Sequence, residues 1–134
     1  MKTIALIEKS PDGTYGIYTP DIDTTIIGSG ETVAEAKQDF ENSVAEIMAS
    51  YDGEELPDEL KGITFEYKFD LASLFNYFDW INISKVAARI GINPSLMRQY
   101  AAGNTYISEK QAAKIERGLH ELGAELTNIS LICS

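Results

Sequence analysis

The sequence predicts an α+β protein in two parts: a small β-β-β-α-β domain over residues 1–69, and an all-helical domain with a C-terminal tail over residues 70–134. Three observations point there. Short segments near the N-terminus alternate with a period of two, one long capped stretch repeats at helical spacing, and beyond residue 70 caps and glycines mark off short helices in succession. Charge divides along similar lines. Residues 1–79 hold 5 Lys against 17 Asp or Glu, net −12, whereas residues 80–134 hold 6 Lys or Arg against 4 Glu, net +2. Such asymmetry points to separate interaction surfaces, although an acidic surface also serves solubility alone.

The 134 residues are 44% apolar and 24% charged, ordinary usage for a packed core. No apolar run approaches the roughly 20 residues needed to span a bilayer. The start, "MKTIALIEKSPDG", is too short and too charged for a secretory signal. Cys133 is the one cysteine, which excludes an internal disulfide framework. A soluble, cytoplasmic protein with no membrane partner is expected.

Residues 3–9, "TIALIEK", fit a half-buried strand because apolar side chains return at every second position. "SPDG" (10–13) is turn chemistry: Pro presets φ, Asp bonds its own backbone and Gly accepts a positive φ. "TYGIYTP" (14–20) resumes the alternation, making a hairpin, and "TTIIGSG" (24–30) offers a third, β-branched strand. Thr32 and Glu35 form a T-x-x-E capping box. Behind it Val33, Ala36, Phe40, Val44, Ile47, Met48 and Tyr51 recur at helical spacing, while Glu35, Asp39, Glu41, Asn42 and Glu46 fall largely elsewhere on the wheel. One stripe therefore packs on the sheet and an acidic face looks outward. Residues 51–62 form a polar, acidic connection, and "ITFEYKF" (63–69) alternates again and returns to the sheet.

These segments resemble the HicB antitoxin family. The likeness is carried by "YGIYTPDI" (15–22) with its Pro20-Asp21 turn, by Gly30, and by the Thr32-x-x-Glu35-Ala36 helix start in "GSGETVAEAKQDFENSV" (28–44). It covers residues 4–69 and implies a reduced RNase H-like fold for the first domain. Asp23-Thr24-Thr25 stand where the family usually has Pro-Gly-Cys, so that loop is expected to take a different shape.

In the second part, "DLASLFNYFDWI" (70–81) predicts a helix with Leu71, Leu74, Phe75 and Phe78 on one side. Ser84 is expected to cap the next helix, which turns Val86, Ala87 and Ile90 inward and ends at a left-handed Gly91. Asn93-Pro94 opens a further helix, Asn as cap and Pro at the first helical position, and Gly103 closes it. Two short helices around a glycine-containing turn match the helix-turn-helix pattern. Ser108 and Gln111 make a second capping box for a helix ending at Gly123. "ELTNISLI" (125–132) alternates like a short strand, which either pairs with a second copy across a two-fold axis or packs on its own domain.

Residues 83 to about 126 resemble the XRE/Cro-like helix-turn-helix family through Ala87, Ile90, Gly91, Ile92, Met97, Gly103, Ile115 and Leu119. The resemblance implies a DNA-binding domain of the kind HicB proteins often carry at the C-terminus. Its recognition helix would span residues 94–102. Met97 and Tyr100 are expected to face the core, leaving Ser95, Arg98 and Gln99 exposed. Arg binds guanine through two bonds, Gln pairs with adenine, and Ser serves a base or a phosphate. Lys85 and Asn104 are placed for phosphate contacts, which orient without specifying sequence. A charge of only +2 implies modest non-specific affinity, so a homodimer or higher oligomer reading two half-sites is expected.

An RNase H-like fold also invites a nuclease reading, in which carboxylates hold two metals. Asp12, Asp21, Asp23 and Glu46 are the candidates. Asp12 and Asp21 occupy turns that favour Asp for local bonding, and Glu46 shares a helix face with many acids, so structural roles are expected. His120, the only histidine, lies far along the chain from them, and Cys133 has no cationic or metal-spaced neighbour in sequence. No P-loop, GxGxxG or His-Cys cluster is present. No enzyme, cofactor or metal is expected.

Taken together, the resemblances imply an antitoxin that neutralises a HicA-type toxin, a small basic ribonuclease cutting messenger RNA, and that represses its own operon by binding operator DNA. Glu35, Asp39, Glu41 and Glu46 are the candidate toxin-binding surface. The alternative is a stand-alone transcriptional regulator whose N-terminal domain senses a ligand or dimerises.

Overall fold

The computed structural model describes residues 1–133. It is mixed α+β, with a four-stranded sheet and five α-helices, and it divides into two compact units, Met1–Tyr77 and Phe78 onward. Among the described residues, no helix is long and apolar enough to cross a membrane.

In the first unit, β1 (Lys2–Lys9), β2 (Tyr15–Tyr18) and β3 (Ile27–Gly30) run antiparallel in succession. Helix α1 (Val33–Ser50) then leads to β4 (Thr64–Phe69), which lies parallel to β1, giving the order β3-β2-β1-β4. The register places Ile7 opposite Ile17 on one side and Phe69 on the other, so the period-two alternation becomes a single apolar face. Ala5, Ile7, Tyr15, Ile17 and Ile26 bury that face against Val33, Ala36 and Phe40 of α1. The Phe40 ring meets Phe65 and Tyr67 edge-on, with centroids 5.1 and 6.1 Å away. Gly28 is what allows this approach: a Cβ there would overlap the Phe40 backbone.

Thr32 caps α1 by accepting the Glu35 N–H at 3.1 Å. The return arm of the expected box differs, since Glu35 accepts the N–H of Glu31 at 3.0 Å rather than that of Thr32. The third strand starts at Ile27, later than expected, because Asp23 and Thr24 are held elsewhere. Their backbone N–H groups donate to the two carboxylate oxygens of Glu59 at 3.1 and 2.9 Å, and the Thr24 hydroxyl donates to the same group. Glu59 sits in a 3-10 turn, Asp58–Leu60, whose Leu60 is only 1% exposed. The acidic connection is thus partly core, anchored by one leucine and one carboxylate.

Helix α2 (Leu71–Tyr77) is shorter than the expected 70–81, and it belongs with the sheet, which moves the boundary from 69/70 to 77/78. The reason is tertiary contact with the sheet. Buried Ser73 accepts the Lys9 N–H at 2.8 Å, Phe75 is buried, and the Tyr77 ring stacks on Phe69 at 5.6 Å. Phe78, expected on the same stripe, falls outside the helix.

The second unit contains α3 (Ile83–Ile90), α4 (Pro94–Ala101) and α5 (Glu109–Thr127). Asn82, not Ser84, caps α3, accepting the Lys85 N–H at 2.9 Å from an extended backbone. Gly91 ends it at φ +91°, and Asn93 caps α4 by accepting from Ser95 and Leu96 at 2.9 and 3.3 Å. At the end of α4, Gly103 at φ +74° donates to the Tyr100 carbonyl and Asn104 to that of Gln99, both at 3.0 Å. Those paired bonds are a Schellman closure. Ser108 caps α5 through the Gln111 N–H at 3.1 Å, but the Gln111 amide donates to the Tyr100 hydroxyl at 3.4 Å instead of completing a box. Ala87, Ile92, Met97, Tyr100 and Ile115 form the buried centre.

Two expectations fail at the C-terminal end. Helix α5 runs through Gly123 to Thr127, because glycine stops a helix only where the backbone turns left-handed, and Gly123 does not. The strand expected at 125–132 is absent. Its first three residues are helical, and residues 129–133 form no regular structure, with Leu131 and Ile132 each 92% exposed.

Candidate nucleic-acid interface

Helix α4 sorts its side chains cleanly. Met97 and Tyr100, three residues apart, are buried, which turns Ser95, Arg98 and Gln99 to the exposed side as expected. The Pro94 start and the Gly103 closure leave a slim helix of two turns, Pro94–Ala101. Lys85 on α3 and Asn104 just past α4 are also exposed.

Arg98 does not sweep through solvent. One terminal guanidinium nitrogen, Nη1, donates to Ser84 Oγ at 2.6 Å, and Nη2 donates to Ser95 Oγ at 3.0 Å. Of the five guanidinium N–H groups, two serve these bonds and three are left for a ligand. An arginine carries about 2 kcal/mol of rotamer entropy, so holding it beforehand reduces the loss on binding. Ser84, expected as a helix cap, instead holds this guanidinium. Its hydroxyl sits 14 positions from Arg98, on another helix, and no local rule marks that pairing.

The electrostatics are equally local. From Trp80 to Ser108, 29 residues hold Lys85, Arg89 and Arg98 and not one of the chain's 21 acids. Beyond Asp79, the acids of this unit are Glu109, Glu116, Glu121 and Glu125, all on α5. Arg89 pairs with Glu125 on that helix. Lys114 caps the end of α3, donating to the Gly91 carbonyl at 2.9 Å, where the helix dipole favours a cation. Within residues 80–108, Lys85 and Arg98 are the two cations that no ion pair among the described residues takes up. That arrangement suits a polyanion whose bases are read by a planar donor fork.

The four candidate acids of α1 are all exposed, yet three have local partners. Glu35 holds Glu31, and Asp39 accepts the Ser29 N–H at 2.8 Å. Glu41 accepts the Tyr67 hydroxyl at 3.5 Å. Ser43 also donates to the Ile27 carbonyl at 2.7 Å, so α1 occupies backbone groups of edge strand β3 that could otherwise pair with another chain. Burial and then the Glu41 charge push the Tyr67 hydroxyl up from its ordinary value.

The carboxylates weighed for metal chemistry are scattered. Among the described residues, no three His, Cys, Asp or Glu side chains come together as ligands. Asp12 accepts from the Thr14 hydroxyl at 2.6 Å and its N–H at 3.0 Å, which lowers its carboxyl below the ordinary value. Asp21 and Asp23 are exposed in the loop before β3, Glu46 on α1, His120 on α5, and Cys133 in the tail. No protein-family model, curated protein or solved structure matches the chain.

Proposed function

We propose that the chain is a HicB-type antitoxin: its second unit binds operator DNA through a helix-turn-helix formed by α3 and α4, and its first unit neutralises a HicA-type mRNA-cutting toxin. The observation that carries the reading is the exposed side of α4, where Ser95, Arg98 and Gln99 stand within a stretch free of acids. Helix α4 is the recognition helix of this proposal, Arg98 and Gln99 its base readers, and Lys85 and Asn104 its phosphate contacts. One copy presents few cations, so two copies on two half-sites supply the affinity.

The division of charge supports the second partner. Counted by unit, residues 1–77 hold 5 Lys and 16 acids, net −11, and residues 78–134 hold 6 Lys or Arg and 5 acids, net +1. A surface that negative steers toward a small protein built to attract RNA. Glu35, Asp39, Glu41 and Glu46 are its proposed contacts, with Asp39 also holding β3.

The test has two arms. Full-length protein is titrated onto duplex from its own promoter, and it is co-expressed with any short basic reading frame next to its gene. Salt-sensitive operator binding, weakened by Arg98→Ala, together with rescue of growth and a co-purifying complex, is the expected result. Operator binding without a complex would favour the stand-alone regulator, and no duplex binding would overturn the reading.

A further inference from the structure

We propose that Ser84 is a specificity-determining positioning residue that presents Arg98 to a single guanine in the major groove. This deepens the DNA-binding reading and rests on it. The guanidinium is held at two points from two helices: Ser84 Oγ on α3 accepts from Nη1 at 2.6 Å, and Ser95 Oγ on α4 accepts from Nη2 at 3.0 Å. Two-point attachment fixes the guanidinium plane as well as its position, and the plane decides whether the remaining N–H groups meet guanine O6 and N7 together. Ser84 is not needed as a helix cap, because Asn82 performs that task. Among the described residues the ion pairs involve Lys61 and Arg89, not Arg98, so its neutral hydroxyl partners leave its full charge for the ligand.

The experiment selects binding sites for the full-length protein from a randomised duplex pool, then repeats the selection with Ser84→Ala, Ser84→Thr and Arg98→Ala. The wild type is expected to choose one guanine whose preference Arg98→Ala abolishes. Ser84→Ala should cut the preference for that same guanine about tenfold, with other positions in the site read as before, and Ser84→Thr, which keeps the hydroxyl, should retain it. Thermal melting of each variant separates this from misfolding. An unchanged guanine preference in Ser84→Ala, or an equal loss at every position, would overturn the positioning role while leaving DNA binding intact. A wild type that enriches no duplex would instead overturn the parent reading.

Discussion

At Phe40 one fully buried ring joins helix to sheet, meeting Phe65 and Tyr67 edge-on. Phe40→Ala should cost about 3–5 kcal/mol in a denaturant titration, since the fully buried ring leaves a cavity between α1 and Phe65. The caps give a sharper comparison. Asn82→Ala should destabilise by about 1 kcal/mol, whereas Ser84→Ala should change melting far less. Both residues fit a helix start by type, and only the backbone geometry chooses between them. Thr32, Asn93, Gly91 and Met97 were legible because their roles depend on neighbours within four positions. Glu59 was not, because its partners lie 35 and 36 residues away. Bonds from the Thr24 hydroxyl and then the Asp23 N–H hold the Glu59 carboxyl below its ordinary 4.5. A lowered folded value means that the anchored loop is intact above about 4.5 and is released as the pH falls further. The Asp23 and Thr24 amide resonances should therefore titrate with a midpoint below 4.5, and Glu59→Gln should remove that titration. A midpoint at or above 4.5 would contradict the anchor.

Among the elements, the strands and α1 followed from period and caps because the apolar face and the turn chemistry agree on one answer. The misread elements are those whose ends are set by tertiary contacts. Helix α2 ends at Tyr77, whose ring stacks on Phe69 in a strand the sequence places in another domain. Helix α5 shows the opposite failure, a glycine taken for a stop signal. Gly123 is exposed, has nothing within 4 Å of an added Cβ, and sits inside the helix. Gly123→Ala should thus stabilise the protein by about 0.5–1 kcal/mol by thermal or chemical unfolding. Destabilisation there would mean that the helix ends at Gly123 after all. The alternation at 125–132 misled in the same way, since a period of two over few residues is also met by a helix end followed by an irregular tail.

For the whole molecule, the proposal is that two partners of opposite charge use different units: a basic protein for residues 1–77 and duplex DNA for the acid-free stretch that holds α3 and α4. Composition revealed the division of charge, but only the fold shows that the acids beyond Asp79 gather on α5 and that Arg89 is paired with one of them. The most direct measurement is hydrogen exchange by mass spectrometry on the full chain, with and without duplex from its own promoter. The predicted result is added protection over residues 82–104 with exchange in the sheet and α1 unchanged. Protection confined to the first unit, or none at a duplex concentration that shifts the protein in a gel, would contradict it.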